Sequence, residues 1–350
     1  MNRYRWMSLL TVLLLAGSLT AEEPAPVPAK NLWTGLQFYE ENDTFAFRNQ
    51  SDRAYTQGLR LTTTLNPEFN PDWLSNLSNL LCRCGKPTDK PFDAVLHVGV
   101  GQSIYTPVRI TVSGPQPFDR PWAGWLYATA ILHLTETGDE LTTEQAPEQS
   151  QQTKQQVFEV DLGVVGQGAG ARRAQSVVHE IIDAPKPLGW HNQIRNQPGL
   201  NLLYSRNQRF GTSRRDIVWT AGGDVGNVMT YAAVGAIGRL GYNITGFGTA
   251  PLSSTAMGQK TRKNVELYVF AGADGRAVLQ NIFIRGGNSR IEQKPFVVDV
   301  RTGASARYRS VRFTYNYVRR SREFTSPVSF PGRHDFGSFA IAWEPTLHVQ

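Results

Sequence analysis

The chain has 350 residues, 40% of them hydrophobic and 19% charged, with a formal net charge of +7. Its basic residues are scattered arginines rather than a cluster on one helix, which argues against nucleic acid and leaves a phosphorylated lipid headgroup, or plain solubility, as the use of the charge. Two cysteines, Cys82 and Cys84, are too few for a disulfide framework and lack the neighbours that a metal site needs.

The first residues, Met1 to Arg5, carry two positive charges, and Trp6 to Leu15 are nearly all apolar before small residues up to Ala21. That order predicts a secretory leader over residues 1–21, too short and too closely followed by acids and prolines to be a spanning helix. No later apolar run has the length of a transmembrane helix. The rest, 22–350, shows no composition shift or linker, so one domain is expected.

After the leader the chain alternates in polarity. Leu59, Leu61 and Leu65 alternate with Arg60, Thr62 and Thr64, and Phe158, Val160, Leu162 and Val164 with Glu159, Asp161 and Gly163. Further on, Val311, Phe313, Tyr315 and Tyr317 alternate with polar residues, as do Phe339, Ile341 and Trp343 with small ones. Period two means strands with one apolar face, predicted near 34–47, 55–65, 94–106, 122–134, 156–166, 199–207, 216–224, 229–243, 265–272, 278–285, 303–318 and 336–348. Alternation alone does not separate a soluble sandwich from a membrane barrel. The leader, the short strands, and aromatic residues such as Trp122, Trp125, Tyr315, Tyr317 and Trp343 near strand ends favour an all-β, antiparallel transmembrane barrel of about twelve strands. The Gln-, Glu- and Thr-rich stretch 136–156 reads as a loop.

One segment breaks the pattern. Residues 172–183, following a glycine-rich turn and lacking internal Gly or Pro, predict a short loop helix on which Gln175 and His179 share one face. His179 is the candidate general base among six histidines. At the first strand, Glu40-Glu41-Asn42-Asp43 gathers oxygen ligands of the kind that suit a hard cation such as Ca²⁺, although a solvated strand end would look the same. Thr56, at the start of the next strand, would line the same site if the two strands pair.

Several motifs in this order resemble one family. Glu41-Asn42-Asp43, Tyr55-Thr56-Gln57-Gly58, Ile104-Tyr105-Thr106-Pro107, Asp119-Arg120-Pro121-Trp122-Ala123-Gly124-Trp125, Asp161 to Gly166, Gln175 with His179, and Gly189-Trp190-His191-Asn192-Gln193 together look like the outer-membrane lipid A 3′-O-deacylases, over about residues 34 to 205. The resemblance implies a twelve-stranded barrel and Ca²⁺-dependent removal of an ester-linked acyl chain from lipid A in the outer leaflet. It puts the metal on Asn42 and Asp43, and the catalytic roles on Thr56, Gln175 and His179. Its expected partners are lipopolysaccharide and outer-membrane lipids, with the protein a monomer that binds no nucleic acid. Where the family can carry lysine after its Tyr-Thr-Pro motif, this chain has Arg109 and then Arg120, the candidates for a phosphate contact. The C-terminus, Leu347-His348-Val349-Gln350, lacks the terminal aromatic residue common in such barrels.

Two rival readings stay open on the residues alone. One is a barrel phospholipase using a serine such as Ser176 with His179; the other is a non-enzymatic porin or assembly barrel.

Overall fold

A computed structural model describes residues 32–46, 54–66, 92–136, 151–250, 252, 264–328 and 333–344. The expected leader, Cys82 with Cys84, and the last six residues lie outside these. Among the described residues the strands are β1 (Trp33–Asn42), β2 (Ala54–Leu65), β3 (Phe92–Thr106), β4 (Ala123–Glu136), β5 (Gln151–Val165), β6 (Gln197–Gly211), β7 (Arg215–Gly226), β8 (Met229–Tyr242), β9 (Val265–Asn281), β10 (Glu292–Gln293), β11 (Phe296–Tyr308), β12 (Val311–Ser321), β13 (Phe324–Thr325) and β14 (Arg333–Trp343). Twelve of them form a closed antiparallel barrel in chain order, sealed where β1 meets β14 from Leu36↔Trp343 to Asn42↔Gly337. Only β10 and β13 stand apart, as a two-stranded sheet above it. Among the described residues there are two α-helices, α1 (Ala171–Ile182) and α2 (Ile282–Arg285), besides short 3-10 turns.

The polarity of the wall is that of a membrane barrel. Leu61, Leu126, Leu162, Leu202, Val269 and Phe313 are exposed on the outside, while Arg60, Thr129, Asp161, Asn207, Asp274 and Thr314 from the same strands are buried inside. The lumen holds ion pairs beside apolar clusters such as Trp125, Tyr127 and Phe283, or Ile237, Tyr268 and Phe270. Arg60 meets Glu159 at 2.7 Å, Asp216 takes Arg209 and Arg239 at 2.6 and 2.7 Å, and Glu266 takes Arg312 at 3.1 Å. Asp299 accepts from Arg276 at 2.6 Å, Arg320 at 2.9 Å and Arg301 at 3.3 Å, tying β9, β11 and β12 across the interior. Much of the scattered arginine is thus explained by the lumen and not by lipid headgroups.

The expected strand count holds, but two boundaries behind it do not. Segments 265–272 and 278–285 are one strand, β9, ending in α2; the Gly272–Gly275 stretch reads as a break, yet at Gly272 a Cβ would lie 2.2 Å from the Ala236 carbonyl oxygen, so the ladder itself demands a small residue there. Segment 303–318 is two strands, β11 and β12, joined by Arg309-Ser310 with Arg309 in the left-handed region at φ 52°, a turn without the usual Gly or Asn. The two errors offset in number. In addition, β5 begins at Gln151, inside the expected loop, because polar Thr153 and Gln155 point into the lumen. Trp122 and Trp125 are buried within the protein, the latter stacked on Tyr127, and so are not belt residues; Trp343 is exposed on the outer face.

Replacing Asp299 with Ala strands three lumen arginines without their shared carboxylate. We expect a loss of about 3–5 kcal/mol, read as a lower denaturation midpoint in detergent; an unchanged midpoint would show that the clamp does not hold the barrel.

Candidate active site

The helix α1 packs on the outer face of the barrel. Along β3 the lumen side carries His97, Gly101, Ser103 and Tyr105, and the opposite side Val100, Gln102 and Ile104. It is this second side that α1 and its approach cover. Gln102 Nε2 donates to the Ala169 carbonyl at 2.7 Å, and a Cβ on Gly124 would sit 2.4 Å from the Ala171 methyl, so the helix start is pressed against a bare patch of β4. The approach needs unusual backbone: Gly166 and Gly170 adopt φ 106° and 67°, which L side chains disfavour. Ile104, Ile110, Trp122, Ala171 and Trp190 form the apolar seat of the helix.

Of α1, the residues fully buried against this seat are Ala171, Gln175 and His179, spaced four apart as one helical face requires. Each polar member is held at one end. Gln175 Oε1 accepts from Trp190 Nε1 at 2.8 Å, which turns its NH₂ group the other way; that nitrogen is buried and has no hydrogen-bond partner among the described residues. His179 Nδ1 lies 2.6 Å from the Pro185 carbonyl oxygen. A carbonyl only accepts, so Nδ1 carries the proton and Nε2 the lone pair, the form a general base needs. The local chain makes this contact possible: Asp183, left-handed at φ 57°, ends the helix and Ala184 N returns to the His179 carbonyl at 2.8 Å, delivering Pro185 beneath the ring.

The carboxylates of β1 divide between the two faces. Glu41 points inward and takes the Tyr39 hydroxyl. Asn42 and Glu40 lie on the outer face, where Gln57 Nε2 reaches Glu40 at 3.4 Å. Asn42 Oδ1 accepts from Thr44 N at 2.9 Å and Thr44 Oγ1 at 2.6 Å, capping a short 3-10 turn, Asp43–Phe45, in which Asp43 is buried. The turn is pinned over β14 by Tyr315, whose hydroxyl donates to the Phe45 carbonyl at 2.8 Å, and by Phe339, whose ring lies 5.0 Å from that of Phe45. The backbone of Thr56 falls at a register shift between Tyr55 and Gln57; its side chain lies outside the described residues. Because β1, β2 and β3 are successive neighbours and α1 rests on β3 and β4, Asn42, Asp43, Thr56, Gln175 and His179 share one end of the barrel and one sector of its wall.

The two arginines part company. Arg109 is exposed in the loop between β3 and β4. Arg120 turns into the mouth of the lumen, 1% exposed, bonded to Glu323 at 2.7 Å and lying over the Tyr105 and Phe324 rings. Its guanidinium is therefore not presented to a lipid phosphate, a correction that follows from an ion pair with a residue 203 positions away. Burial works against the Glu323 charge, but Arg120 and Arg320 outweigh it and hold its carboxyl below the usual range. Burial pushes Asp119 the other way, upward, against the Val108 and Arg120 N–H groups that bond it. The same loop is tied to the last hairpin by Ser326 Oγ, which donates to the Phe118 carbonyl at 2.6 Å. Trp190 and Pro185 are the positions whose part in the site the residue pattern did not reveal; the Gly-Trp-His-Asn-Gln run flagged the first, without a role.

The donor set at the end of β1 is oxygen only, as a hard cation prefers. No group of three or more His, Cys, Asp or Glu forms a metal cage among the described residues. The donor chemistry fits a cation, which would displace Thr44 from Asn42 Oδ1, be held there and by Asp43, and complete its shell with water and substrate oxygens.

A family model described as outer membrane protein LpxR matches residues 7–344. Among solved structures, LpxR from Salmonella typhimurium is similar at a TM-score of 0.66 and 20% identity, over 89% of this chain and 99% of that one. The translocator domain of the autotransporter NalP from Neisseria meningitidis gives a TM-score of 0.41 at 8% identity, over 97% and 94% of the two chains. No curated protein matches the chain.

The Pro185 contact has a direct signature. Nitrogen-detected NMR of the protein in micelles at neutral pH should find His179 as the Nδ1–H tautomer; a proton on Nε2 instead would remove the base assigned here.

Proposed function

The chain belongs to the LpxR family of outer membrane proteins, and from that premise we propose that it is a lipid A 3′-O-deacylase, hydrolysing the ester of the 3′-acyloxyacyl group in the outer leaflet. It would reach the outer membrane through the leader at 1–21 and act as a monomer on lipopolysaccharide. The observation that carries the reading is the place of the catalytic pair: Gln175 and His179 are buried against the outer wall of the barrel, on the side where lipid lies, and each keeps one nitrogen turned away from its anchoring bond.

In the proposed reaction His179 Nε2 takes a proton from water as the water oxygen bonds to the ester carbonyl carbon. The carbonyl oxygen gains the negative charge, and the Gln175 NH₂ group donates to it. The tetrahedral centre then expels the sugar oxygen, which takes the proton back from His179, leaving a free hydroxyl and a fatty acid that gives its remaining proton to solvent. A Ca²⁺ ion held by Asn42 and Asp43 would supply Lewis-acid polarisation of the same carbonyl. Arg109, exposed at the rim, is left as the candidate phosphate contact, with Thr56 completing the polar shell.

The rivals are less well supported. Ser176 is exposed on the flank beside the buried face that carries His179, and an exposed hydroxyl next to a buried imidazole makes a poor nucleophile and base. The lumen that a porin would keep open is crossed by the buried ion pairs of Arg60, Asp216, Glu266 and Asp299.

Mass spectrometry of lipid A from cells with and without the gene should differ by one 3′-acyloxyacyl group, and identical spectra with the protein present and folded would reject the activity. His179→Ala should leave the barrel folded, since the residue is outside the strand ladder, and lower the rate by about two to four powers of ten. Asp43→Ala should lose activity that added Ca²⁺ partly restores, because weakened binding yields to mass action and lost proton transfer does not. Full activity of the wild type in excess chelator would exclude the metal.

A further inference from the structure

Around α1 the side chains fall in sectors. Arg172, Arg173, Ser176 and Glu180 make one polar flank beside the buried face; on the other side Ala174, Val177, Val178 and Ile181 make an apolar one. Beyond Ala174, which packs at the edge of the seat, this second flank is open: Val177 is 47% exposed and Ile181 67%, and Leu188, just past the helix, is 51% exposed. For a loop helix in water that would be an unexplained apolar surface.

The helix, however, starts from the lipid-facing belt. Gln102, which bonds Ala169 at the approach to α1, is paired in register with Leu126, exposed on the outer wall, and stands four residues below the end of β3, about 13 Å along the strand. The belt residues Val100 and Leu162 flank that point, so the apolar flank of α1 continues a surface already turned to acyl chains. An amphipathic helix with basic residues on its polar side is the form that lies in the plane of a membrane interface.

We propose that α1 is an interfacial helix, its Val177–Ile181 flank immersed among the acyl chains of the outer leaflet and its Arg172–Arg173 flank at the headgroups. On the deacylase reading above, substrate then reaches Gln175 and His179 sideways, without leaving the bilayer. Spin labels at Ile181→Cys and Ser176→Cys, in a Cys82→Ser, Cys84→Ser background reconstituted in phospholipid vesicles, test the placement without any catalysis. Oxygen should relax the label at 181 more than a water-soluble nickel chelate does, with the opposite order at 176; equal access of the chelate to both positions overturns the inference. Ile181→Asp, confirmed as folded by its gel mobility before heating, should hydrolyse lipid A in vesicles about tenfold more slowly than the wild type while matching it on lipid A in detergent micelles. Equal loss in both media, or in neither, would also overturn it. A wild type that cleaves nothing would instead defeat the deacylase reading and leave the spin-label result standing.

Discussion

In hydrocarbon no water is at hand for a backbone N–H or C=O, and the pairing of β1 with β14 answers that constraint for the whole molecule. Closure removes the sheet edges, and alternation then sends every second side chain into a lumen that must be made stable on its own. The chain fills it with carboxylates and arginines. Taking charges out of water is costly unless each finds a partner, and one carboxylate such as Asp299 serving three guanidinium groups meets that need with short bonds. Paired in this way, the interior arginines tie strands across the barrel while adding little to the net charge, since carboxylates accompany them.

A filled lumen leaves the outer wall as the place for chemistry. A helix can rest there only where the wall is thin, and Gly124 opposite Ala171 provides that; the glycines at 166 and 170 bend the chain back along the strand it has just left. Once seated, Gln175 and His179 need no long network. One indole N–H and one backbone carbonyl decide which atom of each side chain is offered. Because His179 Nδ1 meets a neutral backbone carbonyl, the tautomer is set at that nitrogen by the main chain.

Periodicity made the strands legible, since a one-residue slip would reverse every face. It could not tell which face met water or lipid; the buried state of Arg60, Asp161 and Thr314 decides that. Turn chemistry misled where the chain departs from preference, as at Arg309, and where glycine serves packing, as at Gly272. In the site, Asn42, Asp43, Gln175 and His179 stood out because they break strand or helix patterns with polar groups. Arg120 could not be read in the same way: its neighbours in sequence suggest a loop at the surface, and only Glu323 draws it inward. The hold of Trp190 and Pro185 on the catalytic pair is likewise a matter of three-dimensional return, with no local signature.

The loop between β3 and β4 has two duties. Through Trp122 and Ile110 it seats α1, and through Arg120 and Phe118 it is fastened to Glu323 and Ser326, which come after β12 near the other end of the chain. Contacts spanning some two hundred positions form only once the later strands have joined the wall, because loop closure must come before the contact that rewards it. The seat of the catalytic helix is thus completed jointly by a loop and by the far end of the chain, 203 and 208 positions away.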